Sequence, residues 1–368
     1  MFAKFFQMPY FNNGHAVSFN NLFTFATDRI VELSCTRRFT KIGEFSLVLP
    51  FEKDYLSGIK LNGIIYIDGL WLWIRSVTYD GKRITISGQD CKGLLGLRVA
   101  LPAASAQSGA EGYDVYSDKT AKIIAHYVEN NLIRPEDTNR KIPMSIENFT
   151  VYGKNSDSYM ARFEYISDIV AELCEGAEIG WDVIGHLGSS GFGLQILGGT
   201  DRSWNQNVNP RVIFSPKHRN VRSYSFEHGV TDLKNVIYGT DPNGYTQTVY
   251  RSGTPEGLSR CECNVSVSVN TGDMYFKDYA LDQVSDNVET HSYTLDAAVS
   301  GYGTEYFLGD IVSVWDEATG DIYNGRITEV TTSISAGQKS VTVILGTQRL
   351  RPLQKINNSL LSGTAGRR

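Results

Sequence analysis

No apolar run in this chain approaches the roughly 20 residues that a helical membrane span needs. The N-terminal stretch MFAKFFQMPYFNNGHAVSFNN is aromatic, but Lys4, Gln7, Pro9 and Asn12 interrupt it, so it offers no continuous apolar core for a secretory signal. Excess positive charge is missing as well. With 35 Lys and Arg against 40 Asp and Glu the net charge is −5, whereas gripping phosphate takes clustered basic side chains. The doublets Arg37-Arg38 and Arg367-Arg368 extend into no patch and read as solvated surface charge. Cysteine is scarce and odd in number. Cys35, Cys91, Cys174, Cys261 and Cys263 are scattered, which argues against a disulfide framework and for reduced thiols in a cytosol-made protein. Cys261 and Cys263 flank Glu262 in an apparent strand and so share a side, yet no further metal ligands lie near them.

Catalytic signatures are absent too. There is no Gly-x-Ser-x-Gly elbow, no His-Glu-x-x-His helix and no phosphate loop ending in Gly-Lys-Ser/Thr. The glycine-rich GSSGFG at 188–193 joins two apparent strands and opens no helix. His15, His126, His186, His218, His228 and His291 show no ligand spacing, and the triplets at Asn148 and Asn264 mean nothing without secretion. The expectation is a protein with no enzymatic activity, no cofactor and no metal.

What is present points to β structure. The 368 residues suffice for two or three domains, and 41% hydrophobic residues indicate a folded chain. Thirty-five Gly and 20 Tyr accompany many short alternating runs. Phe45, Leu47 and Leu49 alternate with Ser46 and Val48, Gly43 marks a turn, and Asp68-Gly69 and Asp80-Gly81 are hairpin signals. Trp71 and Trp73, two apart, share one face and read as core. The polar stretch 101–112 reads as a linker. Helical spacing then places one helix after a Ser117 cap, ended by Pro135, and a second ending at Gly176. Strands follow at 180–184 and 193–197. Alternation returns from about Val212, with a turn at Asp241 to Gly244, a helix over 276–290 and closing strands. The divisions expected are therefore 1–100, 101–211, 212–351 and an unpatterned tail, 352–368.

The chain also echoes itself. WIRSVTYDGKRITISG, ending at Gly88, and GRITEVTTSISAGQKSVTVILG, ending at Gly346, each open with an Arg (Arg75, Arg326) and turn at a Gly (Gly81, Gly337). Each then returns through Ile84-Thr85-Ile86 or Val341-Thr342-Val343. Hairpins share patterning by necessity, but each of these closes a β-rich segment, so a degenerate duplication is the reading.

Four blocks carry a resemblance to a known family. SCTRRFTKIGEFSLVLP, with Arg37, Gly43 and Phe45, resembles the opening block of the tail hub (baseplate hub or tail-tip) proteins of long-tailed bacteriophages. WIRSVTYDGKRITISGQD, with Arg75, Gly81 and Gly88, resembles a second block, and DLKNVIYGT, with Asn235, a third. YFLGDIVSVWD through GRITEV, with Gly309, Asp310, Arg326 and Glu329, resembles the closing block. The match is collinear over about residues 30 to 350.

The resemblance implies a β-rich α+β fold, in which two related β-barrel domains (1–100 and 212–351, the second with a helical insertion) flank an inserted α+β domain (101–211). It implies a structural virion protein of the tail tip, assembled in the host cytoplasm as a homotrimer. Such a hub closes the distal end of the tail tube, adapts a sixfold ring to a threefold tip, and serves DNA ejection. The implied partners are the distal tail protein ring or tail tube, the tape measure protein, and tip fibre or receptor-binding proteins, with no membrane span and no sequence-specific nucleic-acid binding. The family-motif residues are expected to be structural: Gly43, Gly309 and Asp310 as turn-formers, Arg326 with Glu329 as a pair. A carbohydrate- or receptor-binding tail-tip protein is the alternative. A cell-wall hydrolase component is a weaker one, since such a domain would be expected on another polypeptide.

Overall fold

A computed structural model describes residues 2–346 except 13–14, 18, 103–111, 148–156, 187–190, 268, 273–275, 285–286 and 336. Most of the linker at 101–112, the triplet at Asn148 and the tail at 352–368 lie outside the described residues. The chain forms two compact units, residues 1–225 with 294–345, and residues 226–293 with 346–368. No described helix is long and apolar enough to cross a membrane.

The first strands are β1 (Phe2–Gln7), the short pair β2 (Tyr10–Asn12) and β3 (His15–Val17), β4 (Asn20–Ala26), β5 (Glu32–Arg38) and β6 (Glu44–Pro50). Next come β7 (Ile64–Ile67), β8 (Leu70–Tyr79) and β9 (Arg83–Asp90). Alternation decides their faces. Leu33 and Cys35 of β5, Phe45, Leu47 and Leu49 of β6, and Ile84 and Ile86 of β9 point into one core. Phe5, Phe25, Ile65 and Ile67 from β1, β4 and β7 join the same core, so this part of the sheet curls around a shared interior. The turn from β8 to β9 is set by Asp80, whose Oδ1 accepts from the N–H of Lys82 and Arg83, each at 2.9 Å, and by Gly81 at φ +82°. Trp71 and Trp73 are both buried, as read.

The middle of the chain supplies β10 (Asp114–Asp118), β11 (Met144–Glu147), β12 (Asp157–Ala161), β13 (Gly180–Gly185) and β14 (Phe192–Leu197). Two helices, Thr120–Val128 and Ile166–Gly176, accompany them. The first starts later than its expected Ser117 cap, because Ser117 is paired within β10 and β12. β11, β14 and β13 form a three-stranded sheet. Then follow β15 (Ile213–Phe214), β16 (Val221–Gly229), β17 (Val236–Thr240), β18 (Thr246–Tyr250) and β19 (Glu262–Ser266). A helix at Phe276–Asp282 is shorter than the expected 276–290, since Thr290 already begins β20 (Thr290–Ala297). In the second unit that helix packs Phe276 and Ala280 onto Ile237, Val249 and Val267 of the sheet β18-β17-β19. β21 (Ile311–Trp315), β22 (Ile322–Ser335) and β23 (Gln338–Gly346) complete the described chain.

One 13-stranded sheet holds most of these, in the order β16-β20-β23-β22-β5-β6-β9-β8-β7-β1-β4, with β21 also paired to β22 and β15 to β21. Among the described residues no pairing closes it, and β16 and β4 are its ends. The order contains a repeat. β5, β6, β8 and β9 lie as β5-β6-β9-β8, and β16, β20, β22 and β23 lie as β16-β20-β23-β22. In the first block β7 forms a hairpin with the leading half of β8, and in the second β21 does so with the leading half of β22. The two blocks meet where β22 pairs antiparallel with β5, Glu329–Ser335 against Arg38–Glu32.

The repeat reaches single residues. Each leading strand carries a one-residue bulge, at Arg75 between the pairs Ile74↔Gly88 and Ser76↔Ser87, and at Thr328 between Ile327↔Leu345 and Glu329↔Ile344. Counting from the bulges aligns Ile84-Thr85-Ile86 with Val341-Thr342-Val343, as the sequence echo does. It also shows that Arg75 corresponds to Thr328 and Gly88 to Leu345, because the second hairpin is longer at its tip. Trp73 then matches Arg326, and their partners Ile64 and Ile311 match as well. The turns ahead of those partners, Leu61-Asn62-Gly63 and Leu308-Gly309-Asp310, share one hydrogen-bond pattern. Asn62 N–H donates to Ile74 O at 3.0 Å and Ile74 N–H to Gly63 O at 2.9 Å. Gly309 N–H donates to Ile327 O at 2.9 Å and Ile327 N–H to Asp310 O at 2.8 Å. Both Asn62 (φ +60°) and Gly309 (φ +93°) are left-handed, the conformation that Gly takes freely and Asn tolerates.

Candidate functional site

The outward face of the repeated sheet is the first candidate. Because side chains alternate, the core-facing residues above leave the other face to polar ones. Ser34 and Thr36 of β5 lie beside Ser46 and Glu44 of β6, which lie beside Ser87 and Gln89 of β9. Ser76 and Thr78 of β8 continue the row on one side. On the other, Thr331 and Ser333 of β22 pair with Thr36 and Ser34, then with Thr342 and Ser340 of β23. The hydroxyls of Thr36 and Thr331 are 2.9 Å apart. Charges on this face are matched: Arg38 Nε meets Glu329 Oε2 at 2.8 Å, Arg38 Nη2 meets Glu44 Oε1 at 3.0 Å, and Arg83 Nη1 meets Glu32 Oε1 at 3.4 Å. Chemically this is a hydroxyl-covered wall with little net charge. The alternating Ser and Thr of LSCTR, FSL, ITIS and TTSIS was the signal for it.

The second candidate is a charged seam beneath the turn from β5 to β6. Arg37, half-buried on β5, forms an ion pair with Asp182 of β13, which holds its guanidinium protonated more firmly than usual. Lys92 is buried; it donates to the carbonyls of Arg38 and of Lys41 (3.1 Å), and lies 5.0 Å over the Trp181 ring. Burial pulls its ammonium down, opposed by Asp90 and Asp182. Asp90 accepts from Gly43 N–H at 2.9 Å, while its other oxygen is buried without a partner. Burial pushes its carboxyl up to about 6. Phe39 sits at the centre. Its N–H donates to Thr328 O at 2.9 Å, its carbonyl accepts from Trp181 N–H at 3.2 Å, and Arg326 lies 5.2 Å over its ring. A Cβ on Gly180 would come within 2.2 Å of the ring, and one on Gly309 within 2.1 Å. The seam fastens the junction of the two blocks to the middle segment.

Most of the family-motif residues lie near these features within the first unit. Gly43 is squeezed, since a Cβ there would lie 2.2 Å from Thr36 O. Phe45 and Gly88 are cross-strand partners, and a Cβ on Gly88 would lie 2.9 Å from the Phe45 ring and 2.0 Å from Trp73 O. Arg75, the bulge residue, stacks 4.0 Å over Trp73 and donates to Asn62 Oδ1 at 2.9 Å. Asn235 bridges Cys261 N–H and Ser259 O in the second unit. Asp310 is buried and accepts from Thr200 N–H (2.8 Å), Arg202 Nε (2.9 Å) and Phe307 N–H (3.0 Å). The expected Arg326–Glu329 pair does not form. Glu329 pairs with Arg38 across the block junction, while Arg326 donates to Gly309 O at 2.8 Å. With the Thr328 bulge between them, the two side chains serve different neighbours. Among the described residues no group of three or more His, Cys, Asp or Glu is placed to hold a metal ion.

The fold is that of phage tail proteins. The 43 kDa tail protein of prophage MuSo2 from Shewanella oneidensis aligns at a TM-score of 0.56 with 12% identity, over 96% of this chain and 98% of that one. The prophage tail protein gp18 from Listeria monocytogenes EGD-e aligns at 0.53 with 13% identity, over 99% of each chain. The tail protein from Neisseria meningitidis MC58 aligns at 0.54 with 13% identity, over 97% and 99%. No curated protein matches the sequence. The model of the Siphovirus ReqiPepy6 Gp37-like protein family matches residues 24–249, and the chain belongs to that family. The resemblance read from the sequence to proteins of long-tailed phage tails is borne out at that level.

Proposed function

We propose that this chain is a structural tail hub: a homotrimer that closes the distal end of the tail tube and adapts a sixfold ring to a threefold tip. The observation that carries the reading is the repeat of four strands in one sheet. A protomer with two equivalent blocks, taken three times, offers six similar surfaces to a sixfold ring while remaining threefold below. The two related β domains of the hub reading then correspond to the two blocks, with the middle segment braced against their junction. Six blocks of four strands, spaced about 4.8 Å apart, would close a ring at least about 37 Å across between opposite backbones. A wall of hydroxyls and matched charges suits such a lumen, because phosphates sliding past meet no basic stripe.

In this reading the partners are the distal tail ring or tube on one side, and the tape measure and tip proteins on the other. The family-motif residues shape turns and the block junction and take no part in chemistry. The test is the mass of the purified protein by light scattering and native mass spectrometry over a concentration series, alone and with the distal tail ring. A trimer is expected in at least one condition. A monomer in all of them overturns the reading.

A further inference from the structure

The second unit leaves one face of its sheet open. The helix Phe276–Asp282 packs on the side of Ile237, Val249 and Val267. Alternation turns the residues between them the other way: Tyr238 of β17, Thr248 and Tyr250 of β18, and Glu262 and Asn264 of β19. Thr248, Glu262 and Asn264 are exposed, and Tyr238 and Tyr250 are half-buried. The two tyrosines are diagonal neighbours on adjacent strands, Tyr250 opposite Val236 and Tyr238 opposite Thr248. At that spacing aromatic side chains act together.

The polar groups around these rings are held in place. Tyr238 Oη donates to Glu262 Oε1 at 2.9 Å and accepts from Arg260 Nη2 at 3.0 Å. Arg260 also pairs with Glu262 and lies 5.9 Å from the centroid of the Tyr250 ring. Asn264 Nδ2 donates to Tyr238 O at 2.9 Å and to Thr240 Oγ1 at 3.0 Å. These bonds use Oε1 of Glu262 and Nδ2 of Asn264, which leaves Glu262 Oε2 and Asn264 Oδ1 as acceptors on an open surface.

The chemistry of this face selects its ligand. Arg260 is neutralised by Glu262, so a phosphate chain finds no net positive charge here. A protein interface has an apolar centre, and Val236, the aliphatic side chain on this face, is already fully buried. What stays open is a pair of rings among fixed donors and acceptors. A pyranose fits that arrangement, because its C–H faces stack on aromatic rings while its hydroxyls bond the polar groups beside them. The hydroxyl wall of the large sheet differs, since Trp73, opposite Gln89, is buried. We infer that the open face of β18-β17-β19 binds a neutral oligosaccharide, with Tyr238 and Tyr250 as the stacking platform and Arg260, Glu262 and Asn264 bonding its hydroxyls. The site lies within one unit of one chain, so it stands whatever the oligomeric state and adds glycan recognition to the structural role.

The test is affinity electrophoresis of the full-length protein through native gels containing dextran, soluble starch, galactomannan or glucomannan, with heparin and polygalacturonate as charged comparisons. Tyr250→Ala is run beside Tyr250→Phe, which keeps the ring, and beside Tyr79→Ala, which removes an exposed ring of the other unit. Thr248→Arg, at an exposed position opposite Tyr238, obstructs the face without touching the core and serves if Tyr250→Ala does not fold. The expected result is retardation by at least one neutral polymer, about tenfold weaker for Tyr250→Ala, abolished by Thr248→Arg, and unchanged for Tyr250→Phe and Tyr79→Ala. Free migration through every neutral polymer overturns the site, as does retardation that Tyr250→Ala or Thr248→Arg leaves intact. Stronger retardation by heparin or polygalacturonate than by any neutral polymer overturns it as well, because a matched charge pair does not select an anion.

Discussion

The turns Leu61-Asn62-Gly63 and Leu308-Gly309-Asp310 have the same hydrogen bonds and the same left-handed residue, but they live in different surroundings. The second is wedged against Phe39 and braced by Asp310, which bonds the backbone of Thr200 and the guanidinium of Arg202. The first is open to solvent. A duplicated element thus keeps its backbone while its side chains follow what each copy touches. Where the ring of Phe39 arrives, only Gly fits; where nothing arrives, Asn serves and its side chain is free to hold Arg75.

Four predictions break or sharpen this comparison. The largest effect is expected for Gly309→Ala, which adds left-handed strain and drives a methyl into the Phe39 ring, a combined cost of about 4 kcal/mol. Asn62→Ala at the matching turn should cost about 1 kcal/mol, and urea denaturation of the two variants measures the gap. If they lose the same stability, the turns are not differently loaded. Next comes Leu308→Ala, expected to cost about 3 kcal/mol through the cavity it leaves, against under about 0.5 kcal/mol for Leu61→Ala in the monomer.

The third prediction concerns the seam below the junction. The Asp90 carboxyl is held at about 6 by burial, so the folded protein binds that proton more tightly than the unfolded chain does. The cost of burying the carboxylate is absent well below pH 4, grows between pH 4 and 6, and is fully present above 6; a shift of this size is worth about 3 kcal/mol in full. Relative to Asp90→Asn, the parent protein should therefore gain up to about 2 kcal/mol as pH falls from 7 to 4. Parallel pH profiles of the two proteins would dismiss the effect. The smallest change is expected for Glu329→Gln. It removes a partly exposed pair with Arg38 at the junction and should cost under about 1 kcal/mol, diminishing with added salt.

Much of the local structure was legible. Alternation in EFSLVLP placed Phe45, Leu47 and Leu49 in the core, Asp80-Gly81 marked its turn, and Val-Thr-Val against Ile-Thr-Ile exposed the duplicated return strand. The Arg75–Arg326 match was out of step because both leading strands bulge and their tips differ in length, which no periodicity records. Leu61-Asn62-Gly63 escaped notice as a copy of Leu308-Gly309-Asp310, because two different residues satisfy one left-handed position. The Arg37–Asp182 pair joins strands far apart in sequence and left no local mark.

By itself the sequence determined which residues alternate, where the chain turns, and that one hairpin occurs twice, because these depend on neighbours along the chain. Only the tertiary structure decided that β22 lies against β5, so that two four-strand blocks run on in one sheet with a polar wall on one side. Strand edges pair by hydrogen bonds that any sequence can make, and which edge meets which is chosen by the packing of Phe39, Gly180 and Gly309 at the junction.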